Sequence, residues 1–396
     1  MTDEQPRTGL QRTSEAAFER LEAVTTAADA DAFVHVGDRF DDDLWYLTRF
    51  AGPDRDYAFV FVDGRAFLCA PRLFAEQADR EFPGEVVAAS DATSSTAADR
   101  ALDVLAERRP PSEVRVLVPP SIPASAARTI EDAVDDVRFE DVDLGRARKS
   151  VAERERHAVV QTAAQQGLAR AEAVLASATV EGDELRWRGE ALTTERLRRE
   201  VNATLASEGV RDAGNTVIGA GSSCADLHFT GRDRIAPDET VLLDLSPRGS
   251  QGYYADLTRT FVVGDVDDWT SRAYEAVATA QDAALDALRD GAGVRASRVH
   301  EAAVETLASY GFEAGDVAVG MSHGTGHGVG VSLHEPPSLS SDRVLEDGAV
   351  VTVEPGVYDP ERGGVRLEDL VVVTADGYEN LTAYPREIHP VDGRTR

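Results

Sequence analysis

Four stretches in the second part of the chain set a carboxylate among apolar residues. They are Val241-Leu242-Leu243-Asp244-Leu245, Tyr254-Ala255-Asp256-Leu257-Thr258, Val351-Thr352-Val353-Glu354-Pro355 and Gly364-Val365-Arg366-Leu367-Glu368. A buried, ionised and unpaired carboxylate costs several kcal/mol. Gathered together, four of them also repel and raise one another's pKa values. Two divalent cations would neutralise all four. In a chain with 71 acidic residues, four isolated surface acids are the competing explanation.

Histidines favour the gathered reading. Three of the eight fall in one run, Ser322-His323-Gly324-Thr325-Gly326-His327-Gly328-Val329-Gly330-Val331-Ser332-Leu333-His334-Glu335-Pro336-Pro337. Glycines at 324, 326, 328 and 330 make a helix improbable there, and Gly-rich backbone lets a substrate approach closely. His334-Glu335-Pro336-Pro337 lacks the second histidine of a helical H-E-x-x-H zinc motif. His228 follows the loop Gly219-Ala220-Gly221-Ser222-Ser223-Cys224, which is not a dinucleotide fingerprint, having neither the third glycine nor a following helix. The metal-ligand set read from these segments is Asp244, Asp256, His327, Glu354 and Glu368. Its oxygen-rich donors suit Mn²⁺ or Co²⁺ better than a thiolate-type zinc site, and bridging carboxylates suit two ions roughly 3.5–4 Å apart.

The elements that must position these residues follow from periodicity. Alternation places Tyr254, Asp256, Thr258 and Thr260 on one strand face, and Arg366 with Glu368 on another. Val160, Ala164, Leu168, Ala171 and Leu175 mark one face of a long helix; Leu197, Val201 and Leu205 mark a second, capped by Thr193 or Thr194 and ended before Gly209. A strand-rich stretch runs from Asn215 to about Gly264. The scheme then repeats, with Tyr274, Val277, Leu285 and Leu288 on one helix, Val299, Ala303 and Tyr310 on another, and strands to about Thr374. Two copies of helix–helix–strands predict a pseudo-symmetric domain with a cleft. Residues 1–147 instead alternate strands (32–37, 57–62, 65–69, 113–118) with helices near 73–81, 98–108 and 124–134. Asp63-Gly64 turns a hairpin in that region, which reads as an α/β domain with a mixed sheet.

Composition narrows the function classes. The 396 residues suit two domains, and 42% hydrophobic with 28% charged is a globular balance. No apolar run nears the ~20 residues of a membrane span. Met1-Thr2-Asp3-Glu4-Gln5 is polar and acidic, unlike a signal peptide. Cys69 and Cys224 read as reduced thiols of a cytoplasmic protein. The net charge of −30 argues against nucleic acid and anionic membranes as partners. Of 41 basic side chains only Lys149 is a lysine. Acid excess with arginine in place of lysine resembles proteins of salt-accumulating archaea, whose cytoplasmic salt screens such self-repulsion.

The runs LLDLSPRGSQGYYADLTRTF, SHGTGHGVGVSLHEPP, VTVEPGVY and GGVRLEDLVVVT resemble the pita-bread-fold metallopeptidases, in the branch of Xaa-Pro aminopeptidases and Xaa-Pro dipeptidases (prolidases). The similarity spans about 147–390, and LWYLTRF at 44–50 extends it loosely toward the N-terminus. It implies a creatinase-like α/β domain over 1–147, then a pseudo-two-fold pita-bread catalytic domain over 148–396. It also implies a dinuclear exopeptidase, most simply with Mn²⁺ and alternatively with Co²⁺ or Zn²⁺. Such an enzyme would cleave peptides bearing proline at the second position through a metal-bridging hydroxide, as a homodimer. On the same resemblance Asp244 and Glu354 are terminal ligands, Asp256 and Glu368 bridge, and His327 binds one ion. His228, His323 and His334 serve the substrate side, Glu354 carries protons, and Arg366 sits beside the bridging glutamate. Methionine aminopeptidase, a metal-free creatinase-like hydrolase and a non-catalytic pita-bread binding module are the rivals. Asp256 follows Asp244 by twelve positions, one more than the family's usual spacing. The extra residue is expected in the 247–252 turn, since a strand slip would turn Asp256 outward.

Overall fold

The computed structural model describes residues 8–89 and 96–392, so the N-terminal pentapeptide lies outside the described residues. The chain forms two compact units, Met1–Arg146 and Ala147–Arg396.

The first unit is a mixed six-stranded sheet with helices. Its strands are β1 (Ala32–Gly37), β2 (Tyr57–Val62), β3 (Arg65–Pro71), β4 (Glu85–Ala89), β5 (Arg115–Val118) and β6 (Asp136–Phe139). They lie in the order β4-β3-β2-β1-β5-β6. The β1/β2 and β2/β3 pairs are antiparallel, and the outer pairs are parallel. The helices are α1 (Gly9–Ala27), α2 (Asp42–Thr48), α3 (Ala75–Glu81), α4 (Ala97–Ala106) and α5 (Ala124–Glu131). The strand expected from residue 113 starts at Arg115, because Pro111–Glu113 forms a 3₁₀ turn.

In the second unit α6 (Val151–Ala176) and α7 (Thr194–Ser207) flank a small sheet of β7 (Thr179–Glu181), β8 (Glu184–Trp187) and β9 (Glu190–Ala191). Ser150 and Glu153 close a reciprocal capping box on α6. Thr193 caps α7, and Gly209 follows it in the left-handed region with φ 79°. An antiparallel sheet follows, of β10 (Thr216–Ala220), β11 (Thr240–Leu245) and β12 (Thr258–Val262). Val160, Ala164, Leu168, Leu197, Val201 and Leu205 bury one face of this helix pair against Ile218, Val241 and Leu243.

The scheme recurs with α8 (Asp268–Ala287) and α9 (Ala296–Ser309). Two sheets follow them. One contains β13 (Glu313–Ala314) and β14 (Gly320–Met321), with β18 (Gly356–Asp359) and β19 (Gly363–Arg366). The other orders β15 (His327–Gly328) and β16 (Glu335–Ser338) with β17 (Val350–Val353), β20 (Asp369–Thr374) and β21 (Gly377–Asn380) as β16-β15-β17-β20-β21. This doubled arrangement is the pseudo-two-fold layout of a pita-bread domain. Among the described residues no helix is long and apolar enough to cross a membrane.

Candidate metal centre

Asp244 is the fifth residue of β11, and its pairing with Thr258 of β12 fixes which way it faces. Asp256 precedes β12, which begins only at Thr258. Strand alternation therefore does not aim Asp256. Its segment is held by Tyr254 N–H to the Gly330 carbonyl (2.9 Å) and Ala255 N–H to the Pro247 carbonyl (3.0 Å). Asp256 is 4% exposed and turns inward from the 246–257 connection. Glu354 follows the last residue of β17, and its N–H bonds the Thr325 carbonyl at 2.8 Å. Glu368 lies between β19 and β20, tied by its N–H to the Thr258 carbonyl at 3.1 Å.

These placements converge. Oxygens of Asp244, Asp256 and Glu368 all lie within 4.8 Å of one another. His327 Nε2 is 3.3 Å from Glu354 Oε1 and 3.7 Å from Asp256 Oδ2. Its Nδ1 is 3.0 Å from the Gly328 carbonyl, which can only accept, so Nδ1 carries a proton and the ring turns Nε2 toward the carboxylates. Hydroxyls two residues along from three of the acids trim the cluster. Ser246 Oγ donates to Asp256 Oδ1 at 3.0 Å, Thr258 Oγ1 to Glu368 Oε2 at 2.6 Å, and Thr352 Oγ1 to Glu354 Oε1 at 3.0 Å.

Electrostatics divides the acids. Burial, then repulsion from neighbouring carboxylates, pushes Asp256 and Glu368 well above their ordinary range. Burial also works to raise Glu354, but His327, His323 and Arg366 outweigh it and hold Glu354 below the ordinary range. Arg366 is 3% exposed and donates to Asp244 Oδ2 (2.6 Å), Thr258 Oγ1 (3.2 Å) and Tyr358 Oη (2.8 Å). Tyr358, its phenol pushed by burial to about 12, sits 2.8 Å from His323 Nε2, while His323 Nδ1 reaches the Gly324 carbonyl at 2.7 Å. These contacts link Arg366, Tyr358, His323 and the Gly324 carbonyl in one hydrogen-bonded chain. Both ring nitrogens of His323 have partners in that chain, which links the ring to Arg366 through Tyr358.

All nine residues singled out from the sequence border one cavity of about 560 Å³: His228, Asp244, Asp256, His323, His327, His334, Glu354, Arg366 and Glu368. His228 and His334 are exposed at it. The ring centroids of His334 and His327 are 4.3 Å apart. Burial, then the neighbouring His327, keeps His334 below the usual histidine range and so neutral near pH 7. Gly214, Asn215, Val217, Leu227, Thr230, Ser338 and Ser340 add neutral lining. Ser246, Thr352 and Tyr358 escaped the sequence reading, although the first two had a signal, a hydroxyl at i±2 from a ligand candidate, as has Thr258, which alternation places on the face of Asp256.

An oxygen-rich set with one imidazole and two acids driven toward protonation is a donor set that divalent cations fit.

Residues 155–375 match the profile of Metallopeptidase family M24. A probable dipeptidase PepE of Mycobacterium tuberculosis is 34% identical over 192 residues, 48% of this chain and 49% of that protein. A Pyrococcus furiosus Xaa-Pro dipeptidase is 38% identical over 181 residues, 45% of this chain and 50% of that protein. The chain thus spans about half the length of the curated relatives it matches. The solved prolidase of Pyrococcus horikoshii shares the fold with a TM-score of 0.78 at 24% identity, covering 94% of this chain and 99% of that one.

Proposed function

The chain belongs to metallopeptidase family M24, and from that premise we propose that it is an Xaa-Pro aminopeptidase, a dinuclear-metal exopeptidase that cleaves the bond before a proline at the second position of a peptide. One observation carries the reading: acids from four separate segments meet with His327 inside a single cavity.

Asp244, Asp256, His327, Glu354 and Glu368 would hold the cations, with Mn²⁺ favoured by the hard oxygen donors and Co²⁺ or Zn²⁺ as substitutes. Bound cations supply Lewis-acid polarisation of the scissile carbonyl and acidify a water. Glu354, held below the ordinary carboxylate range, takes the proton of the attacking water and delivers it to the leaving proline nitrogen. That nitrogen carries no hydrogen in the substrate, so a positioned proton source is needed for it to leave as an amine. His334, neutral, and His228 are placed to donate hydrogen bonds to the oxygen where negative charge develops. The substrate's α-ammonium suits the Asp244 side of the carboxylates.

Support for the aminopeptidase form comes from the lining. Among the described residues bordering the cavity Arg366 is the one arginine or lysine, and it is engaged by Asp244, Thr258 and Tyr358. A dipeptide's terminal carboxylate next to the leaving proline calls for an uncommitted cation, whereas a continuing peptide suits neutral Asn215, Thr230 and Ser338. A second reading, Xaa-Pro dipeptidase, is favoured by the similarity to the Pyrococcus furiosus protein. Hydrolysis of Ala-Pro against Ala-Pro-Ala in concentrated salt with added Mn²⁺ decides between them. Cleavage of the tripeptide supports the aminopeptidase, cleavage of Ala-Pro alone the dipeptidase. If neither is cleaved, the proline assignment is wrong.

A further inference from the structure

A stripe of polar residues on the buried side of α6 has no part in the reaction described above. Glu153, His157 and Gln161 follow one another at helical i, i+4, i+8 spacing and are 1%, 0% and 0% exposed. Three buried polar side chains in a row on a core helix need partners. All three find them on the segment that carries Asp256. Tyr253 Oη donates to Glu153 Oε1 at 3.0 Å. His157 Nδ1 is 2.8 Å from the Tyr254 carbonyl. Gln161 Nε2 donates to the Asp256 carbonyl at 2.8 Å, and Gln161 Oε1 accepts from the Asp256 N–H at 3.1 Å.

The last pair is a two-point amide clamp. A strand residue normally gives its N–H and C=O to a neighbouring strand, but Asp256 lies ahead of β12 and has no ladder partner. The Gln161 carboxamide has the donor and acceptor geometry of a peptide group and takes that place. A third bond, from Gln161 Nε2 to Thr382 Oγ1 at 2.8 Å, fixes the carboxamide, and Thr382 Oγ1 is itself tied to the Leu370 N–H at 2.9 Å. Burial pushes His157 to a pKa of about 3, so the ring stays neutral and donates from Nδ1 to Tyr254.

We propose that Gln161 is a positioning residue for Asp256: its side chain substitutes for a missing strand and aims the carboxylate into the metal centre across a connection one residue longer than the family's usual one. The proposal rests on the reading of Asp256 as a metal ligand.

Gln161→Met keeps the volume and removes all three hydrogen bonds of the carboxamide. Binding of Mn²⁺ to the metal-stripped full chain, followed by calorimetry, should weaken about 10–100-fold, the effect typical of losing a group that orients a ligand. Amide exchange at Asp256 should accelerate in the same variant without any metal. Gln165→Met is the control, because Gln165 bonds Ala383 N–H and the Gln161 carbonyl without touching Asp256. It should leave Mn²⁺ affinity unchanged even where it lowers thermal stability. Wild-type Mn²⁺ affinity in folded Gln161→Met overturns the proposal. Should that variant fail to fold, Thr382→Val, which releases the outer bond of the carboxamide, carries the same expectation and the same refutation. Asp256→Asn separates the two layers. If it loses the ion while Gln161→Met retains it, the clamp alone is refuted; if it binds Mn²⁺ like wild type, the metal assignment and the clamp fall together.

Discussion

Arg366 Nη2 lies 2.6 Å from Asp244 Oδ2, with the two side chains only 4% and 14% exposed. The same guanidinium reaches Thr258 through Nε and Tyr358 through Nη1, so one planar fork ties β19 to β11, β12 and β18. A buried charge in such a network has no water to fall back on.

Arg366→Met should therefore lower the unfolding free energy by about 3–5 kcal/mol, since it strands the charge of Asp244. Arg366→Lys keeps a charge but cannot span three partners, and its loss should be smaller yet clear. Urea unfolding of the metal-stripped protein measures both. A lysine variant as stable as wild type would show that the fork geometry is not used.

The carboxylates give a pH signature with a definite sign. Asp256 and Glu368 have folded pKa values well above their unfolded ones because burial and mutual repulsion favour the neutral acid. The folded, metal-free chain then binds more protons than the unfolded chain between those values. Its stability is complete below the unfolded pKa and declines as pH rises through the folded pKa. Divalent cations compete with those protons, so the rise in Tm produced by saturating Mn²⁺ should be larger at pH 8 than at pH 5.5. The doubly substituted Asp256→Asn, Glu368→Gln chain should lose most of that difference. An equal Mn²⁺-induced shift at both pH values would contradict the burial of ionised acids at this centre.

How far the sequence discloses this arrangement depends on where each residue sits. Asp244 and Glu354 stand out because a lone acid interrupts a run of valine and leucine, and β11 and β17 do hold or adjoin them. Helices α6 to α9 follow the apolar periodicity, and α7 also follows its cap at Thr193 and its closing Gly209, since these are local signals. Asp256 is different. Alternation counted from Thr258 points it to the correct side, but the backbone there is irregular, and what orients it is a glutamine 95 positions earlier. On a helix with buried neighbours at 160, 164 and 168, Gln161 is indistinguishable from an ordinary polar interruption until its partner is known. The same holds for Arg259, fully buried and paired with Asp369 at 2.9 Å across a long sequence separation. His327 sits in a two-residue strand, too short for periodicity to reveal, and only the glycines around it hint at extended backbone.

The single lysine supplies the last prediction. Lys149 Nζ is 3.1 Å from Glu335 Oε2, with the side chains 1% and 3% exposed. Glu335 directly follows His334, and its other oxygen accepts from the Ser332 N–H at 3.0 Å. The pair thus anchors the turn that presents His334 to the cavity. Surface pairs such as Arg20–Asp143, 52% and 64% exposed, are worth at most about 1 kcal/mol and are screened by salt. The buried pair is not. Lys149→Met should cost about 3–5 kcal/mol, because the Glu335 carboxylate stays buried while the ammonium beside it is gone. Adding Glu335→Gln to that variant should restore part of the loss, with a coupling energy of about 0.5–3 kcal/mol. Both effects should persist between dilute and molar KCl, since no solvent ion reaches the pair. Urea unfolding of the two single variants and the double variant, repeated at both salt concentrations, measures the cycle. A coupling that vanishes in molar salt would place the pair in contact with water and remove its role in holding His334.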